Sequence, residues 1–126
     1  MDILVIDDSK LMRTWIRINL QQAGYGVEDI NPTSLFDVLK AIHEHSPTLV
    51  ITDYEMPACN GETLIRAIRE DPALSQTAVL VASAHHDEIL VNRLISYGLA
   101  AYLLKPLSPE ALVAAVGQFL PRPVAG

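Results

Sequence analysis

Four short apolar runs in the sequence each lead directly into residues that can do chemistry. Asp7 and Asp8 follow the first run, and Asp53 follows the second. Ser83 follows the third run, and Lys105 follows the fourth. Three carboxylates brought together would repel one another and raise the pKa of at least one of them, unless cations offset the charge. A lysine ammonium and an ion that prefers oxygen ligands, Mg²⁺ or Mn²⁺, would meet that need.

Any one of these aspartates could instead cap a helix or close a turn, which is a common place for this residue type. Lys105 does not fit that interpretation. It comes directly after a strongly apolar run, and an ammonium removed from water without a carboxylate partner is costly. Taken together, the residues therefore predict a shared site rather than separate turns.

The same apolar runs predict the sheet that would bring these residues together. The runs are solid rather than alternating, which is typical of strands buried on both faces of a parallel sheet. They cover residues 3–6, 49–52, 78–82 and 101–104, with a weaker run at 26–30. Helical spacing fills the intervals, so strand and helix alternate. The prediction is a single doubly wound α/β domain with a five-stranded parallel sheet and helices on both faces, in which ligands bind at the carboxyl ends of the strands.

Caps and apolar spacing place the helices. Ser9 is expected to cap the first helix, which should end before Gly24. The inward side chains are expected to be Leu11, Met12, Trp15, Ile16 and Leu20 on the first helix, and Leu35, Phe36, Val38, Leu39 and Ile42 on the second. Further helices are predicted at residues 62–70, 88–97 and 110–120.

Composition limits the class of protein. The chain has 126 residues, of which 50% are hydrophobic, with one cysteine and a net charge of −6. This size allows one domain, which we place at residues 1–120, followed by a tail or linker start at 121–126. An acidic chain is unsuited to non-specific nucleic acid binding, which depends on Lys and Arg contacts with phosphates. With no signal-peptide pattern, no apolar run of about 20 residues and only Cys59 as a thiol, we expect a cytoplasmic protein that does not insert into membranes.

In this order and spacing, the residues resemble the receiver domain of two-component response regulators of the chemotaxis-regulator kind. The match covers nearly the whole length of the chain. The segments that carry it are Asp7-Asp8-Ser9, Asp53-Tyr54-Glu55-Met56-Pro57, Gly61, Ser83-Ala84, Gly98 and Ala101-Tyr102-Leu103-Leu104-Lys105-Pro106. The resemblance implies the flavodoxin-like strand order 2-1-3-4-5. Residues 27–32 depart from the family pattern because they lack its small-residue-rich connection, so the register of the second strand is left open.

The resemblance also implies a chemistry for the site. Asp53 would accept a phosphoryl group from a histidine kinase or a phosphotransfer protein, and Lys105 would contact a phosphoryl oxygen. The ligands of Mg²⁺ would be Asp7, Asp8, Asp53 and the main-chain carbonyl of Glu55. A cis bond between Lys105 and Pro106 would direct the lysine into the site. The protein would be a signalling switch, not an enzyme, with self-phosphorylation and autodephosphorylation as its only reactions.

The resemblance also implies which residues change conformation on phosphorylation, and two further residues are expected to set the lifetime of the phosphoryl group. Ser83 would bind the phosphoryl group, and Tyr102 would then turn from an exposed to a buried position. Partner binding would change at the surface of the fourth helix, the fifth strand and the fifth helix. Glu55 and His85 flank the path of the hydrolytic water, so we expect them to set the lifetime of the phosphoryl group.

The last helix is more apolar than a surface helix needs to be, with Glu110 as its only charge before Arg122. We therefore expect it to bind a downstream protein or a second copy of the chain. A receiver-like scaffold or dimerisation module that does not use phosphorylation remains an alternative, although the complete set of site residues disfavours it. Two other classes with this architecture are disfavoured. A haloacid-dehalogenase-type phosphatase would need Asp-x-Asp after the first strand, whereas here the two aspartates are adjacent. A flavodoxin-like protein would bind a flavin phosphate at this position, and Asp7-Asp8 would repel it.

Overall fold

Five parallel strands form the middle layer of the protein in a computed structural model that describes residues 2–121. The strands are β1 Ile3–Ile6, β2 Val27–Ile30, β3 Leu49–Asp53, β4 Ala78–Ser83 and β5 Ala101–Leu104. They lie in the order β2-β1-β3-β4-β5, and each neighbouring pair is parallel. The predicted fold and strand order are therefore confirmed. Of the tail predicted at residues 121–126, all but Pro121 lies outside the described residues.

Within residues 2–121, an α-helix follows each of the five strands, and the helices cover both faces of the sheet. They are α1 Lys10–Gln22, α2 Leu35–His45, α3 Gly61–Glu70, α4 Glu88–Ser96 and α5 Pro109–Gly117, with a 3₁₀ turn at Pro72–Leu74. Each α-helix begins at a side chain that accepts a main-chain N–H of the first turn, and these caps are Ser9, Ser34, Asn60, Asp87 and Ser108. Such caps satisfy donors that have no partner within the helix. Gly24, with φ of 102°, follows the end of α1 in a conformation that glycine adopts without strain.

The two faces of the sheet carry separate hydrophobic clusters, because side chains alternate along each strand. One face packs on α1 and α5, through Ile16, Leu20, Leu112 and Val116. The other packs on α2, α3 and α4, through Val38, Ile42, Leu64, Ile65, Ile68, Leu90 and Leu94. The central strands β1, β3 and β4 are buried along nearly their whole length, which is why their sequences are solid apolar runs.

The prediction of inward side chains is wrong at two positions. Leu11 is 84% exposed and Phe36 is 74% exposed. Leu11 lies nine positions before Leu20, and Phe36 lies two positions before Val38. At 3.6 residues per turn, each is on the opposite side of its helix from the buried residue. Near the first turn of a helix, apolar type alone therefore does not identify the inward face.

The last helix is shorter than predicted, because α5 ends at Gly117 instead of continuing to residue 120. Part of its apolar surplus packs in the core, since Leu112 and Val116 are fully buried. Phe119 lies beyond the helix and remains 38% exposed. Across the part of the chain that the structure describes, none of the helices combines the length and the apolar character required to span a bilayer.

Candidate functional site

The register of the sheet brings two acidic segments side by side. Ile6 of β1 pairs with Thr52 of β3, so Asp7 and Asp53 are the next residues at the carboxyl ends of neighbouring strands. With Asp8 they form one group, because one carboxylate oxygen from each of the three lies within 4.8 Å of the others. The structure thus brings together carboxylates that are 46 residues apart in sequence.

Lys105 reaches this group from the end of β5. Its Nζ lies 3.3 Å from Oδ2 of Asp7 and 3.5 Å from Oδ1 of Asp53, and its side chain is largely buried. The main-chain N–H of Lys105 donates to the carbonyl of Ser83 at 2.8 Å. The peptide bond from Lys105 to Pro106 is cis. One ammonium group therefore bridges two of the three carboxylates.

The three carboxylates lie in different surroundings. Asp7 is only 2% exposed, and its Oδ1 accepts the N–H of Ser9 at 2.9 Å, whereas Asp8 is exposed. Burial raises the pKa of Asp53 above its ordinary value, while the charge of Lys105 lowers it and that of Asp7 raises it to smaller extents. Asp53 therefore carries its negative charge at a cost that a further cation would relieve.

This donor set fits a divalent cation that takes oxygen ligands. Three carboxylates against one ammonium leave an excess of negative charge, which Mg²⁺ or Mn²⁺ would offset. The exposed position of Asp8 leaves room for the water ligands that Mg²⁺ usually keeps. The residues whose side chains could hold the ion are Asp7, Asp8 and Asp53.

A cleft of about 300 Å³ opens onto these groups at the carboxyl ends of the strands. Its lining residues are Asp8, Asp53, Glu55, Ser83, Ala84, His85 and Lys105. Most of the candidate site residues therefore share one opening. Asp7 contacts the group from its buried position, and Tyr102 lies to one side, in contact with the loop that carries His85.

The loop between β4 and α4 connects Ser83 to Tyr102 through the main chain of His85. Ser83 is 1% exposed, and its Oγ accepts the N–H of His85 at 3.1 Å. The hydroxyl of Tyr102 donates to the carbonyl of His85 at 2.6 Å. The Tyr102 ring is half-buried against the core. The two residues that the resemblance assigns to switching are thus joined by a single residue.

The side chain of His85 forms a bridge at the mouth of the cleft. Its Nε2 lies 2.9 Å from Oε1 of Glu55, and the two side chains are 55% and 67% exposed. The sequence places both residues near the same water path, but it does not predict that they pair, because pairing depends on the conformations of two loops.

Gly61 and Arg13 support the site from behind. A Cβ on Gly61 would lie 3.1 Å from Cα of Tyr54, the residue after Asp53, so a larger residue would press on this segment. Nη1 of Arg13 donates to the main-chain carbonyl of Asp7 at 2.9 Å. No motif points to Arg13. The one sign in the sequence is its spacing from Arg17, four positions along a helix that faces the sheet.

Similarity to known proteins covers nearly the whole chain. A family model described as the response regulator receiver domain matches residues 3–117. The chain is 34% identical over 124 residues to the sensor histidine kinase TmoS of Ectopseudomonas mendocina, a match that covers 98% of this chain and 12% of the kinase. It is 28% identical over 122 residues to the chemotaxis protein CheY1 of Helicobacter pylori, covering 89% of this chain and 90% of CheY1. The chain therefore spans a small part of the kinase and most of the chemotaxis protein.

Solved structures show the same arrangement. The chemotaxis protein CheY4 of Vibrio cholerae superposes with a TM-score of 0.85 at 25% sequence identity, over 94% of this chain and 98% of CheY4. The similarity therefore includes the sheet and the carboxyl ends of its strands, where the candidate site lies.

Proposed function

Because the chain belongs to the response regulator receiver domain family of two-component systems, we propose that it accepts a phosphoryl group on Asp53. The donor is a histidine kinase or a phosphotransfer protein in the cytoplasm, and the receiver unit spans residues 1–120. The observation that carries the proposal is the position of Asp53 at the end of β3, open to the cleft and 3.5 Å from Nζ of Lys105.

The transfer is a substitution at phosphorus. A carboxylate oxygen of Asp53 attacks the phosphoryl group, the bond from phosphorus to the donor nitrogen breaks, and its electron pair leaves with the donor imidazole. Lys105 lies beside the attacking carboxylate and contacts a phosphoryl oxygen as a point charge. Mg²⁺, when bound, offsets the negative charge of the phosphoryl oxygens. The residues that hold it are Asp7, Asp8, Asp53 and the carbonyl of Glu55.

The switch uses the contacts of Ser83 and Tyr102. Once Asp53 is phosphorylated, the hydroxyl of Ser83 donates to a phosphoryl oxygen and draws the β4–α4 loop toward Asp53. His85 moves with Ser83 because its N–H donates to the serine hydroxyl. The carbonyl of His85 accepts from Tyr102, so the movement reaches the surface of α4, β5 and α5, where a downstream partner binds.

Intact mass spectrometry tests the proposal. After incubation with acetyl phosphate or phosphoramidate and Mg²⁺, the protein should gain the mass of one phosphoryl group. The gain should be lost when EDTA is added before the donor, because the carboxylates then lack their cation. No gain with either donor would contradict the proposal and favour a receiver-like scaffold or dimerisation module that works without phosphorylation.

The pair formed by Glu55 and His85 is expected to set the phosphoryl lifetime, because it bridges the mouth of the cleft. An exposed pair of polar side chains contributes at most about 1 kcal/mol, so Glu55→Ala and His85→Ala should each speed hydrolysis by up to about fivefold. If the residues act as a pair, the double variant should be no faster than the faster single variant. The measurement is the decay of the phosphoryl adduct by intact mass.

His86→Ala is the matched control for this prediction, since His86 is the exposed neighbour of His85 and lies outside the cleft lining. It should hydrolyse at the rate of the parent. Parent rates in both Glu55→Ala and His85→Ala would show that the pair does not control the lifetime.

The downstream partner is proposed to bind the surface of α4, β5 and α5. This partner is a second copy of the chain or another protein. Ile95 of α4, Leu104 of β5 and Phe119, two residues after α5, are large apolar side chains that remain exposed, at 52%, 46% and 38%. Phe119→Asp should weaken association by about tenfold or more, since an aromatic contact would be replaced by a buried charge. Light scattering with and without beryllofluoride, as a phosphate mimic, measures the mass.

Phe36→Asp is the control for this surface, because Phe36 is equally apolar and 74% exposed on α2. It should associate like the parent. If Phe119→Asp leaves both the mass and the binding of any identified partner unchanged, the proposed surface is wrong.

A further inference from the structure

Strand β2 contains a charged residue where the fold offers little water. Asp29 pairs in register with Val5 of β1, whose side chain belongs to the core between the sheet and α1. The Asp29 side chain is 21% exposed. A carboxylate in such a position is costly unless charged partners surround it.

Two arginines of α1 supply these partners, but their contacts differ. Nε of Arg13 donates to Oδ2 of Asp29 at 3.0 Å, and the Arg13 side chain is 12% exposed. Nε of Arg17 lies 2.9 Å from Oδ1 of Asp29 without hydrogen-bond geometry, and this side chain is 35% exposed. Both arginines therefore neutralise Asp29, and the bond from Arg13 is the directional one.

Arg13 also contacts the acidic segment of the site. Its Nη1 donates to the main-chain carbonyl of Asp7 at 2.9 Å, while its Nε remains on Asp29. On the other side of the same residue, Oδ1 of Asp7 accepts the N–H of Ser9. The planar guanidinium, with several donors in fixed directions, is suited to holding two acceptors at once. The segment after β1 is therefore held from β2 by the Arg13 side chain, beside a longer main-chain bond from the N–H of Asp7 to the carbonyl of Ile30 at 3.5 Å.

We propose that Arg13 is a positioning residue for the acidic group, anchored by Asp29, and that it orients Asp7 and Asp8 for a divalent cation. This inference rests on the proposed function, in which these carboxylates hold Mg²⁺. Arg13 is not among the residues that line the cleft. It acts through the main chain of Asp7, one step further back than the residues that bond directly to ligand side chains.

The sign of the effect separates positioning from simple electrostatics. Removing a positive charge near the carboxylates lowers the repulsion of an incoming cation, so electrostatics alone predicts tighter Mg²⁺ binding. Loss of positioning predicts the opposite. Loss of a group that orients metal ligands typically weakens metal affinity by about 10-fold to 100-fold.

Isothermal titration with MgCl₂, without any phosphodonor, tests the inference. Arg13→Met keeps the unbranched stem and the preference for a helix but loses every donor. It should bind Mg²⁺ about tenfold more weakly than the parent. Arg17→Met is the matched control, because Arg17 pairs with the same Asp29, whereas the bond to the carbonyl of Asp7 comes from Arg13. It should bind as tightly as the parent or more tightly.

The melting temperature of each variant is measured first. A value well above the temperature of the titration shows that the titrated protein is folded. If Arg13→Met does not fold, Arg13→Lys keeps the charge but not the forked donors, and weaker Mg²⁺ binding by that variant supports the inference. Parent-like or tighter binding in whichever Arg13 variant folds overturns it, as does equal weakening by Arg17→Met. If the parent itself binds no Mg²⁺, the metal site of the proposed function fails and this inference fails with it.

Discussion

Asp53→Asn is expected to abolish the phosphoryl adduct and, when divalent cations are absent, to make the protein more stable. The adduct is lost because an amide oxygen is not the nucleophile that a carboxylate is. The gain in stability has a separate cause. Burial raises the pKa of Asp53, and the nearby charge of Asp7 adds to this, so the ionised side chain costs free energy in the folded state.

The pH dependence gives this prediction a sign. A carboxyl whose pKa is raised on folding destabilises the protein fully above its folded pKa, and the cost disappears below its unfolded pKa. The advantage of Asp53→Asn over the parent should therefore be present at pH 7. It should shrink as the pH falls and vanish below about pH 4. Thermal denaturation in EDTA across this range measures it.

Glu110→Gln is a control that removes one negative charge from an exposed position on α5. It should keep the full adduct. A phosphoryl adduct of normal yield in Asp53→Asn would refute the assignment of the acceptor. A variant less stable than the parent at pH 7 in EDTA would refute the electrostatic argument alone.

Lys105→Met is expected to slow adduct formation by about 100-fold while leaving Mg²⁺ binding intact or tighter. Nζ of Lys105 is within 3.5 Å of both Asp7 and Asp53, so its removal leaves the carboxylates with no ammonium at this contact and a stronger attraction for cations. The transferred phosphoryl group, in contrast, loses a point charge on one of its oxygens. The two effects therefore have opposite signs.

Two measurements distinguish these effects. The rate of adduct formation at saturating Mg²⁺ reports phosphoryl transfer, and a titration with MgCl₂ reports the affinity for Mg²⁺. Lys40→Met removes an exposed lysine of α2 and should match the parent in both measurements. A Lys105→Met protein that is phosphorylated at the parent rate would remove the lysine from the mechanism. One that no longer binds Mg²⁺ would show that the lysine organises the metal site instead.

Much of this fold is predictable from the sequence because the central strands are buried on both faces. Solid apolar runs such as Ile3–Ile6 are typical of strands in that environment, and a cap such as Ser9 with Gly24 marks the two ends of its helix. The exposed Leu11 and Phe36 could not be predicted from residue type, because the inward face of a helix near its first turn depends on how the helix leaves the sheet.

Some contacts of the candidate site could also be predicted from the sequence, and others could not. Asp7, Asp8 and Asp53 could be placed together because parallel strands share one carboxyl edge. The anchor formed by Arg13 and Asp29 joins residues 16 positions apart, and its detection needs the register of β2, which the sequence left open. The pairing of Glu55 with His85 needs the conformations of two loops. Contacts that depend on strand order could therefore be predicted from the sequence, whereas contacts that depend on the conformations of loops could not.

The hydrogen bond from Tyr102 to the carbonyl of His85 also has a consequence for populations. A bond of this kind contributes about 1 kcal/mol, which corresponds to about a fivefold ratio between two conformers. In the proposed switch, such a small bias would leave both ring positions of Tyr102 populated, with or without a phosphoryl group. Phosphorylation would then adjust the ratio of these two conformers, so the output of the proposed switch would be graded and would not fall to zero without a phosphoryl group.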